Sequence, residues 1–331
     1  MTGRESAQPG RTEREAADDR RERDPAVDRD GDRGSTDGAV LTDPSGAAFS
    51  GADLVLGYPG MDDPVIDGES IAVPPDEVTA LIGPNGSGKS TLLKGLADKI
   101  EPDRGMVVVD GQELEEFGSK ELARKLGLLS QEHVSPEGIT VEDLVERGRY
   151  PHIGFFESPG EEDRAAVDEA IELAGIEHLR EREVGSLSGG QKQLVWIAMA
   201  LAQDTDILLL DEPTTFLDPH HQLEVMGIVE TLRDRSEITV VLVLHDIGQA
   251  ARYADNVVAL KNGSVHAYGP PEEVITEELL AEVFEIEAAV LDTEYGIQIA
   301  PLEPLEEPRD DRSDSRGAYA NRTTGSDGSS P

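Results

Sequence analysis

Apolar positions fall in short runs between about residues 48 and 300, and their spacing alternates between two periods. Residues 52–56 and 71–73 read as early strands. Val78–Ile82 is a continuous apolar strand that enters a glycine-rich loop, after which Leu92, Leu93 and Leu96 recur at helical spacing. Residues 107–109 and Leu126–Leu129 predict further strands. Ser158 and Glu161 form a candidate capping box. They open a helix with Val167, Ala170, Ile171 and Ala174 on one face, which Gly175 ends. Beyond it the pattern gives a helix from Ser188, a strand at 207–210, a helix carrying Val225, Ile228, Val229 and Leu232, and a strand at 239–244. Strands alternating with helices predict an α/β fold, its parallel sheet covered on both faces. Residues 257–261 and 264–267, joined by Asn262-Gly263, read as a hairpin.

Outside this stretch the pattern disappears. Residues 1–47 and 301–331 are charged, polar and glycine-rich, with too few large apolar side chains to offset chain entropy, so both read as disordered acidic tails around one domain at 48–300. The 331 residues carry 69 acidic against 29 basic side chains, a net charge of −40. Such a chain repels phosphate backbones, which argues against nucleic acid as a partner. The charge is read as a solvated surface suited to concentrated salt, where the Debye length shrinks to about 3 Å. There are no cysteines, so disulfides and thiolate metal sites are excluded. No apolar run approaches the ~20 residues of a spanning helix, and the first residues have no signal-peptide core.

Three motifs carry chemistry. Gly83-Pro84-Asn85-Gly86-Ser87-Gly88-Lys89-Ser90-Thr91 fits the phosphate-loop pattern, between a strand and a helix as that pattern requires. Its glycines let N–H groups turn towards phosphate oxygens, Lys89 adds a point charge, and the Ser90 hydroxyl suits Mg²⁺. ATP is the ligand expected. The strand at 207–210 ends in Asp211 and Glu212, at the sheet edge where ligands bind in such folds. Asp211 is placed for Mg²⁺, and Glu212, one residue on, for activating water. Leu187-Ser188-Gly189-Gly190-Gln191 puts a second anion site at a helix start. One nucleotide does not need two such sites on one chain, so the motif argues for two chains arranged head to tail. Taken alone, it is equally an ordinary Ser-capped helix.

Weaker candidates stand on position. His245 closes the strand at 239–244 on the Asp211 edge, within reach of a γ-phosphate. Gln131 follows Leu126–Leu129 and can meet Mg²⁺ or water. Tyr58 can stack on adenine. His220 and His221 are adjacent on a helix, do not share a face, and are read as structural.

Together these motifs, with Pro213-Thr214-Thr215-Phe216-Leu217-Asp218, resemble the ATP-binding subunit of ABC transporters from about Ala48 to Val290. The resemblance implies an ATP hydrolase with a P-loop NTPase (RecA-like) core, a small antiparallel β subdomain and an inserted helical subdomain, about 132–190, carrying Leu187–Gln191. It implies a head-to-tail dimer sandwiching two ATP molecules, with Asp218 on the loop that crosses the interface. It also implies a polytopic membrane permease partner, an extracytoplasmic substrate-binding protein acting indirectly, and a place on the cytoplasmic face of the membrane. Gly138-Ile139-Thr140-Val141, Arg147-Gly148-Arg149-Tyr150-Pro151-His152, Trp196–Ala200, His221-Gln222 and Leu244–Ile247 resemble, more narrowly, the ATPases of iron(III)-siderophore, haem and cobalamin importers. There the segment after Gln131 faces the permease. Lys192 and Leu194 stand where that family often has arginines. A non-transport ABC ATPase of cofactor assembly, translation or DNA repair, or an exporter subunit, are the alternatives.

Overall fold

In the computed structural model the described residues are 47–305, except 62, 132, 134–136, 155–156 and 236–237. Both expected tails lie almost wholly outside them. In chain order come β1 (Phe49–Leu56), β2 (Ile66–Val73), β3 (Val78–Ile82), α1 (Lys89–Leu96), β4 (Arg104–Val109), β5 (Gln112–Glu113), α2 (Ser119–Lys125) and β6 (Leu126–Leu129). The helical middle holds α3 (Val141–Glu146), α4 (Glu161–Leu173) and α5 (Gly189–Ala202). Then follow β7 (Ile207–Asp211), α6 (Pro219–Arg235), β8 (Thr239–Val243), α7 (Ile247–Tyr253), β9 (Asn256–Lys261), β10 (Ser264–Gly269), α8 (Pro271–Val274), α9 (Glu277–Phe284), β11 (Ile286–Thr293) and β12 (Gly296–Pro304).

The central sheet runs β10-β9-β3-β8-β7-β6 and is parallel except for β10, which pairs antiparallel with β9. The side chains of β3, β7 and β8 are buried throughout, because both faces of the sheet are covered. Val78, Ala80, Leu208, Leu210, Val240 and Leu242 face one apolar cluster with α4, α5 and α6. Leu81, Leu209, Val241 and Val243 face the other, where α1 packs under the antiparallel sheet β2-β1-β4-β5. The alternation has period two, as a pleated strand requires. It fixes the register that brings the ends of β3, β6, β7 and β8 to one edge.

Two expectations need correction. α4 begins after Gly160, not at Ser158: the Asp163 carboxylate accepts the Gly160 N–H at 2.8 Å, so the capping contact is displaced by two residues. Gly160 stays extended (φ −80°, ψ −170°), and Glu161, Glu162 and Asp163 fill the first turn, where the helix dipole favours negative charge. The antiparallel pair β11–β12 was not anticipated, and β12 runs to Pro304, past the boundary set at 300. Much of its surface is exposed, so the apolar alternation that betrays a strand is weak there.

Candidate functional site

The phosphate-loop residues lie where β3 passes into α1. Gly83, Gly86 and Gly88 take φ of +149°, +79° and +100°, values open to glycine and strained for other residues. That backbone turns its N–H groups inward at the start of α1. Ser87 and Lys89 are buried. Lys89 Nζ donates to the carbonyls of Gly83 at 2.8 Å and Pro84 at 3.0 Å. Burial lowers its pKa, against the opposing pull of Glu212 and Asp211. The loop therefore wraps a buried cation at the start of α1.

Asp211 ends β7 directly beside it. Its Oδ1 accepts the Ser90 hydroxyl at 2.8 Å. Its Oδ2 is buried with no hydrogen-bond partner, Lys94 Nζ lying 3.9 Å away. Burial raises the Asp211 pKa, the Ser90 bond and the lysines opposing it. An orphaned, desolvated carboxylate oxygen next to a hydroxyl fits a hard divalent cation.

Glu212 follows with φ +52°, a left-handed step that turns its side chain across the strand ends. Three groups hold the carboxylate: Gln131 Nε2 donates to Oε2 at 2.6 Å, Thr215 Oγ1 donates to Oε2 at 3.1 Å, and His245 Nε2 lies 2.7 Å from Oε1. Asn85, Gln131, Glu212, Thr215, Phe216 and His245 line a cleft of about 550 Å³ here. Gln131 is thus brought to Glu212 rather than to the Ser90–Asp211 pair. The Tyr58 hydroxyl reaches Thr91 Oγ1 at 3.3 Å, leaving the half-exposed ring beside α1.

Ser188–Gln191 form a separate surface. Ser188 Oγ accepts the Gln191 N–H at 3.3 Å and Gln191 Oε1 accepts the Ser188 N–H at 3.2 Å, a reciprocal box that caps α5. Among the described residues no hydrogen bond joins this motif to the phosphate loop or to Glu212. It is instead linked to Asp218. The Asp218 carboxylate accepts the N–H groups of His220 and His221, and the His221 ring through Nδ1 at 2.9 Å; these bonds hold its pKa below the usual range. The same ring lies against Gly190, where a Cβ would collide with it. The sequence reading of His221 as structural left these partners unnamed. The signal was the i, i+3 spacing from Asp218. The contact of Thr215 with Glu212 was missed as well: Thr215 lies in the stretch 213–218, but nothing in that stretch marks its hydroxyl for the carboxylate.

A family model described as ABC transporter matches residues 66–215. The chain is 44% identical over 246 residues to the ferric enterobactin transport ATP-binding protein FepC of Escherichia coli, covering 74% of this chain and 90% of the relative. This chain is an ABC transporter ATP-binding protein. The petrobactin import ATP-binding protein FpuD of Bacillus anthracis is 45% identical over 226 residues, covering 68% of this chain and 83% of the relative. Among solved structures, a metal-chelate type ABC transporter in an inward-facing conformation matches with TM-score 0.66 at 29% identity, over 77% of this chain and 97% of that one. The dimeric cassette MJ0796 matches with TM-score 0.61 at 28% identity, over 67% and 98%. The sheet order is therefore that of an ABC ATPase, a family that binds ATP.

Proposed function

We propose that this ABC ATPase energises import of an iron(III)–siderophore complex. The observation that carries the cargo class is the shared description of its relatives: ferric enterobactin, petrobactin and iron(3+)-hydroxamate transport, at 40–45% identity. In this reading two copies bind head to tail. Gly83–Thr91 of one copy holds the ATP phosphates, and the N–H groups at Ser188–Gln191 of the other cover the γ-phosphate. Asp218 and the fully exposed Phe216 of each copy lie on the shared surface. Tyr58 stacks on adenine.

Ser90 and Asp211 would hold Mg²⁺, which would supply positive charge to offset that of the nucleotide's phosphates. Gln131, Thr215 and His245 fix the Glu212 carboxylate in place. Glu212 accepts a proton from water as the water oxygen attacks γ-phosphorus. The bond to the β–γ bridging oxygen breaks, and ADP and phosphate leave. Lys89 gives up its loop carbonyls to phosphate oxygens, and His245 turns to the transferred group.

In this reading the chain works with a membrane partner; among its described residues no helix is long and apolar enough to cross a membrane. A groove of about 410 Å³ lined by Asp143, Glu146, Arg147, Tyr150, Ile153 and Glu157 is the seat proposed for a cytoplasmic helix of the permease. A strain lacking the gene tests the cargo. Uptake of labelled ferric siderophore is lost and returns with the wild-type gene but not with Lys89→Ala. Loss of cobalamin uptake with intact ferric siderophore uptake would overturn the cargo assignment. A complemented chain found wholly outside the membrane fraction would overturn the transporter reading.

A further inference from the structure

The α5 helix that begins at Ser188–Gln191 ends against the groove proposed for the permease. It has 14 residues, a rod of roughly 21 Å at 1.5 Å per residue. Its last carbonyls need partners outside the helix. The segment 147–153 supplies them. Arg149 Nη1 donates to Ala202 O at 2.9 Å, and His152 Nε2 donates to Gln203 O at 2.7 Å. Gly148 meets the same turn so closely that a Cβ would collide with Met199 O. Gln203 Nε2 in turn donates to the carbonyls of Ala123 and Leu126, tying the joint to the start of β6.

Arg149 is the centre of this joint. In a chain of net charge −40, Arg149 and Lys89 are the two buried cations among the described residues. Besides Ala202 O, Arg149 reaches Asp163 in the first turn of α4 through Nε at 3.1 Å and Asp204 at 3.4 Å. Its planar fork thus spans two helices and the segment itself, which the single ammonium of a lysine does not do. A positive charge at the carboxyl end of α5 also meets the negative end of the helix dipole. The neighbouring Tyr150 stands exposed on the groove.

We infer that Arg149 is a positioning residue that fastens the groove segment 147–153 to the carboxyl end of α5, so that a displacement of Ser188–Gln191 at one end of the rod is delivered to Tyr150 at the other. The inference rests on the transport reading only for what sits in the groove, and the chain alone tests it. Deuterium uptake by backbone amides is measured on the full chain carrying Glu212→Gln, with and without Mg-ATP. With Arg149 intact, Mg-ATP changes uptake in peptides covering 188–194 and in those covering 147–153. With Arg149→Lys the change at 188–194 stays and the change at 147–153 is lost. A merely structural arginine would raise uptake at 147–153 equally with and without Mg-ATP and leave the nucleotide-dependent difference in place.

The inference is overturned if either end is insensitive to Mg-ATP in the intact chain, or if Arg149→Lys responds as the intact chain does. Should Arg149→Lys fail to fold, Asp163→Asn reads the same quantity, since it frees one end of the fork while keeping the bond to Ala202. A reduced response at 147–153 supports the joint, and an unchanged one overturns it. Loss of the cargo assignment in the uptake experiment would leave these exchange differences untouched, so the two failures are distinguishable.

Discussion

Replacing Glu212 with glutamine separates holding the site together from running the reaction. The side chain keeps its size, and its oxygen still accepts from Gln131 and Thr215. What is lost is charge at the contact with His245 and the ability to take a proton. Hydrogen bonds to a charged group contribute about 1.5–3 kcal/mol and neutral ones about 0.5–1.5, so the ground-state cost is about 1 kcal/mol. In a domain of this size that lowers Tm by about 2–4 °C. Removing a general base costs about 10²–10⁴-fold in rate, or about 3–5 kcal/mol in the barrier. The chemical penalty therefore exceeds the structural one severalfold. ATP affinity should hold while phosphate release, followed with a coupled assay under saturating Mg-ATP, falls by at least about a hundredfold. Turnover within about threefold of wild type, with ATP affinity unchanged, would remove Glu212 from the base role.

Four further outcomes follow from the same geometry. Asp211→Asn removes a buried carboxylate whose ionised form burial disfavours, so the nucleotide-free chain keeps its Tm by scanning fluorimetry while the further rise produced by Mg-ATP disappears. The Asp163 pKa is held low by the Gly160 N–H and then by Arg149, so its stabilisation is present above the unfolded value near 4 and lost as pH falls through the lower folded value. The stability gap between wild type and Asp163→Asn, measured in urea, should therefore be full at pH 6 and close below about pH 4. Leu242→Ala on the central strand β8, where Leu242 is fully buried, should cost about 2–5 kcal/mol in the same urea assay. With a net charge of −40, the urea midpoint should rise from low to molar KCl; a midpoint indifferent to salt would contradict the reading of the acidic surface.

The core was legible in the sequence where periodicity is strong. The expected β3 and β6 have the observed bounds, and β7 and β8 differ by one residue, because strands buried on both faces are continuous apolar runs. The local geometry of the motifs was legible for a related reason: the turns at Gly83, Gly86 and Gly88 and the end of β7 at Asp211 are set by local backbone. What escaped was set by tertiary contact. Nothing near Thr215 says that its hydroxyl reaches Glu212. His221 was read as structural, but its packing against Gly190 joins two elements far apart in sequence and was not legible. Arg149 stood in a quoted motif, but its burial depends on α4 and α5 closing over it. The β11–β12 pair was missed because its strands are half-exposed and lack a clean alternation.

The central claim is that Ser188–Gln191 serve the nucleotide held by another copy. The measurement that tests it most directly is light scattering after gel filtration of Glu212→Gln in Mg-ATP, with and without Ser188→Arg, alongside ATP affinity of the dilute chain. The account predicts that Glu212→Gln elutes as a dimer holding two nucleotides. Adding Ser188→Arg should yield monomers whose ATP affinity matches that of the parent, since the phosphate loop is intact. A Ser188→Arg chain that still dimerises, or that loses ATP as a monomer the way Lys89→Ala does, would contradict the shared site.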